Sequence, residues 1–173
     1  MREPLRTFTR DLVALSALAA AWKGKEPKEI GRSLATVTLG TINSDAVVVT
    51  LTNQGKTPLV TAVSAGSASD GAVQALQLLL ESGTPSFPRR VLSPTGEYVY
   101  VGVAAIGFSG KEGFILVGSS NPDSPGEFER LLLQVAANQA ATVLEGARLL
   151  AALRDSDRLK EALLQQQTVL AQA

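Results

Sequence analysis

The sequence predicts an α+β fold, an antiparallel sheet with helices segregated around it. Three observations carry this. Extended segments come in adjacent pairs joined by short turns, as hairpins do. Helical periods stand before, between and after those pairs instead of alternating with every strand. The last helical period opens near Ser124 and runs on towards Gln172 without a stop signal.

Taken in order, Phe8, Leu12, Leu15, Ala19 and Trp22 recur at helical spacing. They predict one helix over residues 5–22, started by Thr7 or Thr9 and ended by Gly24. Pro27 suits the first turn of a second helix, which reaches about Ile42 with Ile30, Leu34, Val37 and Thr41 inward. Residues 45–53, DAVVVTLTN, are β-branched and nearly all apolar, a strand covered on both faces. Asn53-Gln54-Gly55-Lys56 turns the chain, and Leu59 to Ser64 returns as the hairpin partner. Ser67, Ser69 or Asp70 caps a helix through about Glu81, with Val73, Leu76, Leu79 and Leu80 inward. Ser82-Gly83 stops it, and Pro85 and Pro88 hold an extended linker.

Arg89 to Leu92 is a short strand, and Ser93-Pro94-Thr95-Gly96 is a turn. Tyr98 to Phe108, apolar on both alternating faces, is a central strand. Residues 109–113 close a hairpin to Phe114–Ser119. Ser124, Pro125 and Glu127 then have the spacing of a capping box. The helix they open is expected to bury Phe128, Leu131, Leu132, Val135, Gln139, Val143, Leu144 and Ala147. Leu149, Leu153, Leu159, Leu163 and Leu170 continue its pattern, and helical throughout it has about 48 residues and spans roughly 70 Å. Asp155-Ser156-Asp157 interrupts the apolar seam and is a place for a kink, a register shift or a fresh cap. The expected division is a globular domain over 1–150 and the start of a coiled-coil linker to an output module over 151–173.

Composition excludes more than it assigns. Among 173 residues there is no cysteine and no histidine. Disulfides, thiolate nucleophiles, thioether-linked chromophores and most zinc sites are therefore ruled out. So are haem held by histidine or cysteine, and any Ser-His-Asp triad. No cofactor is expected. Lysine plus arginine and aspartate plus glutamate number 16 each, which gives no electrostatic case for nucleic acid or an anionic membrane. No apolar run approaches the roughly 20 residues that span a bilayer. The opening MREPLRTFTRDL lacks the apolar core of a signal peptide, so a cytoplasmic location without membrane insertion is expected.

With this order laid out, the chain resembles a GAF domain. The similarity is strongest over residues 98–150. YVYVGVAAI, a glycine turn and GFILVGSSN match the family's last two core strands. PGEFERLLLQVAANQAATVLEGARLL matches its closing helix, most specifically through Leu133, Ala137, Gln139, Ala141, Leu144, Glu145, Ala147 and Leu149. Residues 5–64 follow the family's opening helices and first hairpin in order. The resemblance implies a PAS/profilin-like antiparallel sheet of about six strands between helical layers. It also implies a small-molecule pocket on one sheet face, a homodimer through the terminal helices, and a downstream output such as a histidine kinase of a two-component system. The cysteine of bilin-binding members, the histidine of haem-binding members and the cyclic-nucleotide signature are missing, so the ligand implied is an unassigned small molecule.

The candidate ligand residues are Arg89, Arg90, Tyr98, Tyr100, Thr50 and Ser64. The paired arginines can clamp a carboxylate or phosphate at a pocket lid, or keep a strand edge solvated. Tyr98 and Tyr100 share one face of a strand and can line a pocket or serve as core or edge residues. Thr50 and Ser64 are polar residues towards strand ends. Gly107-Phe108-Ser109-Gly110-Lys111 departs from a phosphate-binding loop, since Ala105 and Glu112 stand where glycine and serine or threonine are needed.

The candidate dimer and signalling residues are Gln139, Leu149, Leu153, Leu159, Leu163 and Leu170. Gln139 either sets the register of a helix pair or bonds within its own subunit. Leu159, Leu163, Gln166 and Leu170 have the four-three-four spacing of a two-stranded seam, the alternative being a helix that folds back. The expected function is a non-enzymatic regulatory domain passing a small-molecule or partner signal through a dimeric helix to its output module. The alternative is a ligand-free structural dimerisation module.

Overall fold

The two most completely buried strands, Ala46–Leu51 (β1) and Gly113–Ser119 (β5), lie side by side at the centre of the sheet. Only a strand covered on both faces can shelter side chains that are apolar in both directions. The computed structural model describes residues 2–53, 55–82 and 87–172. Leu59–Ser64 (β2), Arg90–Leu92 (β3) and Tyr98–Ile106 (β4) complete an antiparallel sheet in the order β2-β1-β5-β4-β3. The described residues thus give five strands, close to the six implied, since each remaining apolar stretch has a helical period. Of the predicted turn and linker residues, Gln54, Gly83 and Pro85 lie outside the described residues.

Period-two alternation divides the interior into two layers. Val47, Val49 and Leu51 of β1, Ala104 and Ile106 of β4, and Ile115 and Val117 of β5 enter the larger core. The helices α1 (Arg2–Ser16), α2 (Leu18–Trp22), α3 (Pro27–Thr41) and α5 (Glu127–Gln172) supply the rest of it. Ala46, Val48 and Leu116 face the other way, onto Leu76 and Leu79 of α4 (Asp70–Glu81), with Phe87 and Phe114 packed edge-to-face nearby. Trp22 is fully buried, and its indole N–H donates to Ser33 Oγ at 2.8 Å, which ties α2 to α3.

Three features differ from expectation. The helix over residues 5–22 is two helices. Ser16 Oγ bonds back to the Leu12 carbonyl and Ala17 N bonds three residues back to Ala14, a tightened turn that breaks the axis. The start of α5 lies two residues beyond the predicted cap. Ser124 Oγ is engaged on the Asn43 carbonyl at 2.9 Å, and Gly126 becomes the cap, its carbonyl accepting from Arg130 N. Glu129 then reaches back to Gly126 N at 3.0 Å, the reciprocal half of a capping box in the shifted register. The inner face of α5 agrees with the predicted one at Leu132 and Leu144, with Val135 and Val143 packed against the core, and departs from it elsewhere. Leu132, Leu133, Ala136, Ala137, Ala140 and Leu144 are buried, whereas Phe128, Leu131 and Ala147 are exposed. Asp155–Asp157 are helical within an unbroken α5 of 46 residues. No fresh cap therefore forms there, and no glycine or proline accompanies the aspartates.

Gly102 and Gly113 permit two close approaches. A Cβ on Gly102 would meet Pro125 Cγ at 2.7 Å and Val117 Cγ2 at 2.8 Å, so this glycine lets the lead-in to α5 lie flat on β4. Gly113, at φ +142°, starts β5 where a side chain would collide with the Thr50 carbonyl.

Candidate functional site

A cavity of about 240 Å³ opens at one end of the sheet. It is built where four chain segments converge. The β3–β4 turn supplies Ser93, Thr95 and Glu97, the start of α4 supplies Ser69, Gly71 and Ala72, β1 is led in by Asp45, and β5 is followed by Ser120. Tyr98, Val99 and Ala68 complete its border.

Each wall is held for a local reason. Gly96, at φ +89°, lets its N–H bond to Ser93 O at 2.9 Å and close the turn. The buried Ser93 Oγ lies 2.8 Å from Thr95 Oγ1 and accepts from Glu97 N at 3.3 Å. Gly71 at the start of α4 faces the β3–β4 turn, where a Cβ would meet Thr95 Oγ1 at 3.4 Å, an ordinary contact distance. Asp45 N donates to Gly118 O at 2.8 Å and its carbonyl accepts from Ala65 N at 2.9 Å, while its carboxylate Oδ2 accepts from Ser120 N at 2.8 Å. The wall therefore carries two carboxylates and a ring of hydroxyls, with no lysine or arginine among its lining residues. Among the described residues no three acidic side chains converge as a metal site.

The same end of the sheet meets the head of α5. The β5–α5 connection is stapled by Asn121 N to Ser119 Oγ, Asp123 N to Asn121 Oδ1 and Ser124 N to Asn121 O. Two residues before Asp45, Asn43 is clamped on both sides. Its carbonyl accepts from Ser124 Oγ, and its N–H donates to Glu129 Oε2 at 2.6 Å.

The structure is similar to the GAF domain of a protein proposed to be a sensor histidine kinase from Pseudomonas syringae pv. tomato. The TM-score is 0.62 at 16% sequence identity, over 90% of this chain and 96% of that one. The chain has the GAF fold. A GAF domain from an Acinetobacter phosphoenolpyruvate-protein phosphotransferase also aligns, with a TM-score of 0.49 at 9% identity over 86% of this chain and 96% of the other. No family model matches the sequence, and no curated protein sequence matches it.

Within this GAF fold the sequence candidates are scattered. Arg90 stands opposite Tyr100 in the β3–β4 ladder, and its guanidinium lies 4.5 Å from the centroid of the Tyr98 ring, a diagonal cation–π contact on the sheet. Arg89 is exposed and bonds through its carbonyl to Val101 N. Tyr98 borders the cavity; Arg89, Arg90, Tyr100, Thr50 and Ser64 do not. Thr50 pairs with Val60 and Ser64 with Ala46, at opposite ends of the β1–β2 ladder. Asp45, Ser93, Thr95, Glu97 and Ser120 were not singled out by sequence as site residues. Their one local signal is the hydroxyl-flanked turn Ser93-Pro94-Thr95-Gly96.

In α5, Gln139 is half-buried, whereas Leu149, Leu153, Leu159, Leu163 and Leu170 are exposed. Every residue from 149 to 171 is exposed, so this half of the helix leaves the globular body. No helix among the described residues is long and apolar enough to cross a membrane.

Proposed function

We propose that this GAF-fold chain is a non-enzymatic regulatory domain. A small molecule at the sheet-end cavity biases the seating of α5, and a dimeric α5 carries that bias to an output module such as a histidine kinase. The observation that carries the reading is the shared connection between cavity and helix. Asp45 and Ser120 form one wall of the cavity, and the segment joining them to α5 is clamped through Asn43, Ser124 and Glu129. A ligand that moves that wall acts on the helix start through a few hydrogen bonds, and coupling of about 1–3 kcal/mol is enough for regulation.

Size and lining select the ligand. About 240 Å³ equals the liquid volume of roughly eight waters, which suits a small metabolite. Carboxylates and hydroxyls without a cation favour an amine or a polyol over a phosphate. The structural neighbour's description as a sensor histidine kinase agrees with the kinase-type output, and the exposed leucines of α5 agree with a homodimer.

A thermal-shift panel of amino acids, polyamines and polyols, with nucleotides as the contrasting class, tests this. A binder at a hundredfold excess over its Kd adds about 2.7 kcal/mol of stability, and Asp45→Asn removes the shift. Silence across the panel favours the second reading, a ligand-free dimerisation module. One observation supports that alternative: the interior between α4 and the sheet is filled by the chain's own Val48, Leu76, Leu79, Phe87 and Phe114.

A further inference from the structure

Phe108 is 92% exposed at the tip of the β4–β5 hairpin. The tip is nevertheless rigidly built. Ser109 holds a left-handed backbone at φ 55°, Gly107 and Gly110 have positive φ, and the Phe114 ring packs so closely under Gly110 that no side chain fits there. Glu112 also reaches Arg148 of α5 at 3.2 Å, so the hairpin is fastened to the helix one residue before its exposed stripe begins. A large aromatic displayed on such a support is available to a neighbouring surface.

The helix sequence says where its counterpart lies. Counting from Leu149 in alternating steps of three and four, a heptad row passes through Leu149, Ala152, Leu159, Leu163 and Leu170, with Ser156 and Gln166 as its polar members. Every member of this row is exposed, whereas Phe128 and Val135 upstream pack against the body. In a parallel pair of such helices, each residue just before the first core position faces the partner residue five places later. Two such pairs on the exposed length contain a charged residue. Asp155 meets the partner's Lys160, a pair of opposite charges. Arg148 meets the partner's Leu153.

The second pairing explains two exposed apolar side chains together. Leu153 is 62% exposed on the flank of the row, where a polar residue is usual. The charge of Arg148 opposite is already taken by Glu112, on the hairpin that carries Phe108.

We propose that the hairpin tip is part of the interface between two copies of this chain, with Phe108 covering the partner's Leu153. This rests on the dimeric reading of α5 given above. It adds a contact from the globular body onto the neighbouring rod, so that the sheet of one copy grips the helix of the other.

The natural absence of cysteine makes the test clean. Leu159→Cys reports on the parallel helix pair alone, through a covalent dimer under mild oxidation. The double variant F108C/L153C, treated with a short bis-maleimide, is expected to give a covalent dimer that neither single variant gives. In parallel, Phe108→Ala, whose side chain makes no core contact, is expected to weaken the dimer about tenfold with unchanged melting of the monomeric body. A Leu159→Cys dimer without the 108–153 product and with unchanged F108A affinity overturns the hairpin contact and leaves the helix pair standing. Failure of Leu159→Cys to cross-link overturns both.

Discussion

Thr38 sits in α3 at 1% exposure, and its hydroxyl finds no hydrogen-bond partner among the described residues. A buried hydroxyl without a partner costs about 1–3 kcal/mol of desolvation. Valine has nearly the same shape and is equally β-branched. Thr38→Val should therefore raise stability by about 1 kcal/mol, a melting increase of roughly 2–4 °C by calorimetry. A fall in melting temperature would mean that the hydroxyl is satisfied after all. Gly102 gives the opposite sign. Its added Cβ would press on Pro125 and Val117, so Gly102→Ala should cost about 1–3 kcal/mol in denaturant titration. Neither residue advertises itself in the sequence. Alternation along β4 correctly put Tyr98 and Tyr100 on one face, because that is a local property of the strand. It does not disclose that Asp45 meets Ser120, since 75 residues separate them and only the β1–β5 ladder brings them together. The cavity was illegible for that reason, while its turn was legible.

Secondary-structure elements were far easier to read than their faces. Central strands and the later helices followed from apolar runs and periodicity, with ends shifted by a residue or two, while the first helix begins at Arg2, ahead of Thr7 and Thr9. The inner face of α5 was read only in part, because apolar side chains stand on more than one side of it. Leu131 and Leu132 are neighbours in sequence, yet one faces solvent and the other the core. Its starting point depends on a partner no local pattern contains, the backbone of Asn43. Glu129 accepts from both Gly126 N and Asn43 N, so Glu129→Ala should cost about 1–2 kcal/mol. Urea titration is expected to show a lower midpoint with an unchanged slope, since the core stays intact. An unchanged midpoint would show that the clamp is idle. Leu133→Ala, which empties a fully buried site below the same turn, should cost about 2–5 kcal/mol by the same measurement.

At the scale of the molecule, the last deeply buried residue of α5 is Leu144, and everything from 149 onward is bathed in solvent. Truncation after Leu149 should thus leave the body folded while the protein becomes mostly monomeric. Sedimentation of both lengths at matched concentration checks this, and a dimer undiminished by the cut would place the contact on the body itself. A solitary helix with this many bare leucines gains little from local propensity alone, so its order is expected to depend on protein concentration. Far-ultraviolet helicity that rises with concentration would report that dependence.

The unbroken course of α5 has a geometrical corollary. From 149 to 171 the rod extends roughly 33 Å past the body, at about 1.5 Å per residue. It therefore acts as a pointer pivoting at its exit. A tilt of only ~3° at the pivot swings the far end by about 2 Å, comparable to the 1–2 Å helix displacements that switch packed interfaces. Motions too small to disturb the sheet become sizeable at the tip through leverage alone.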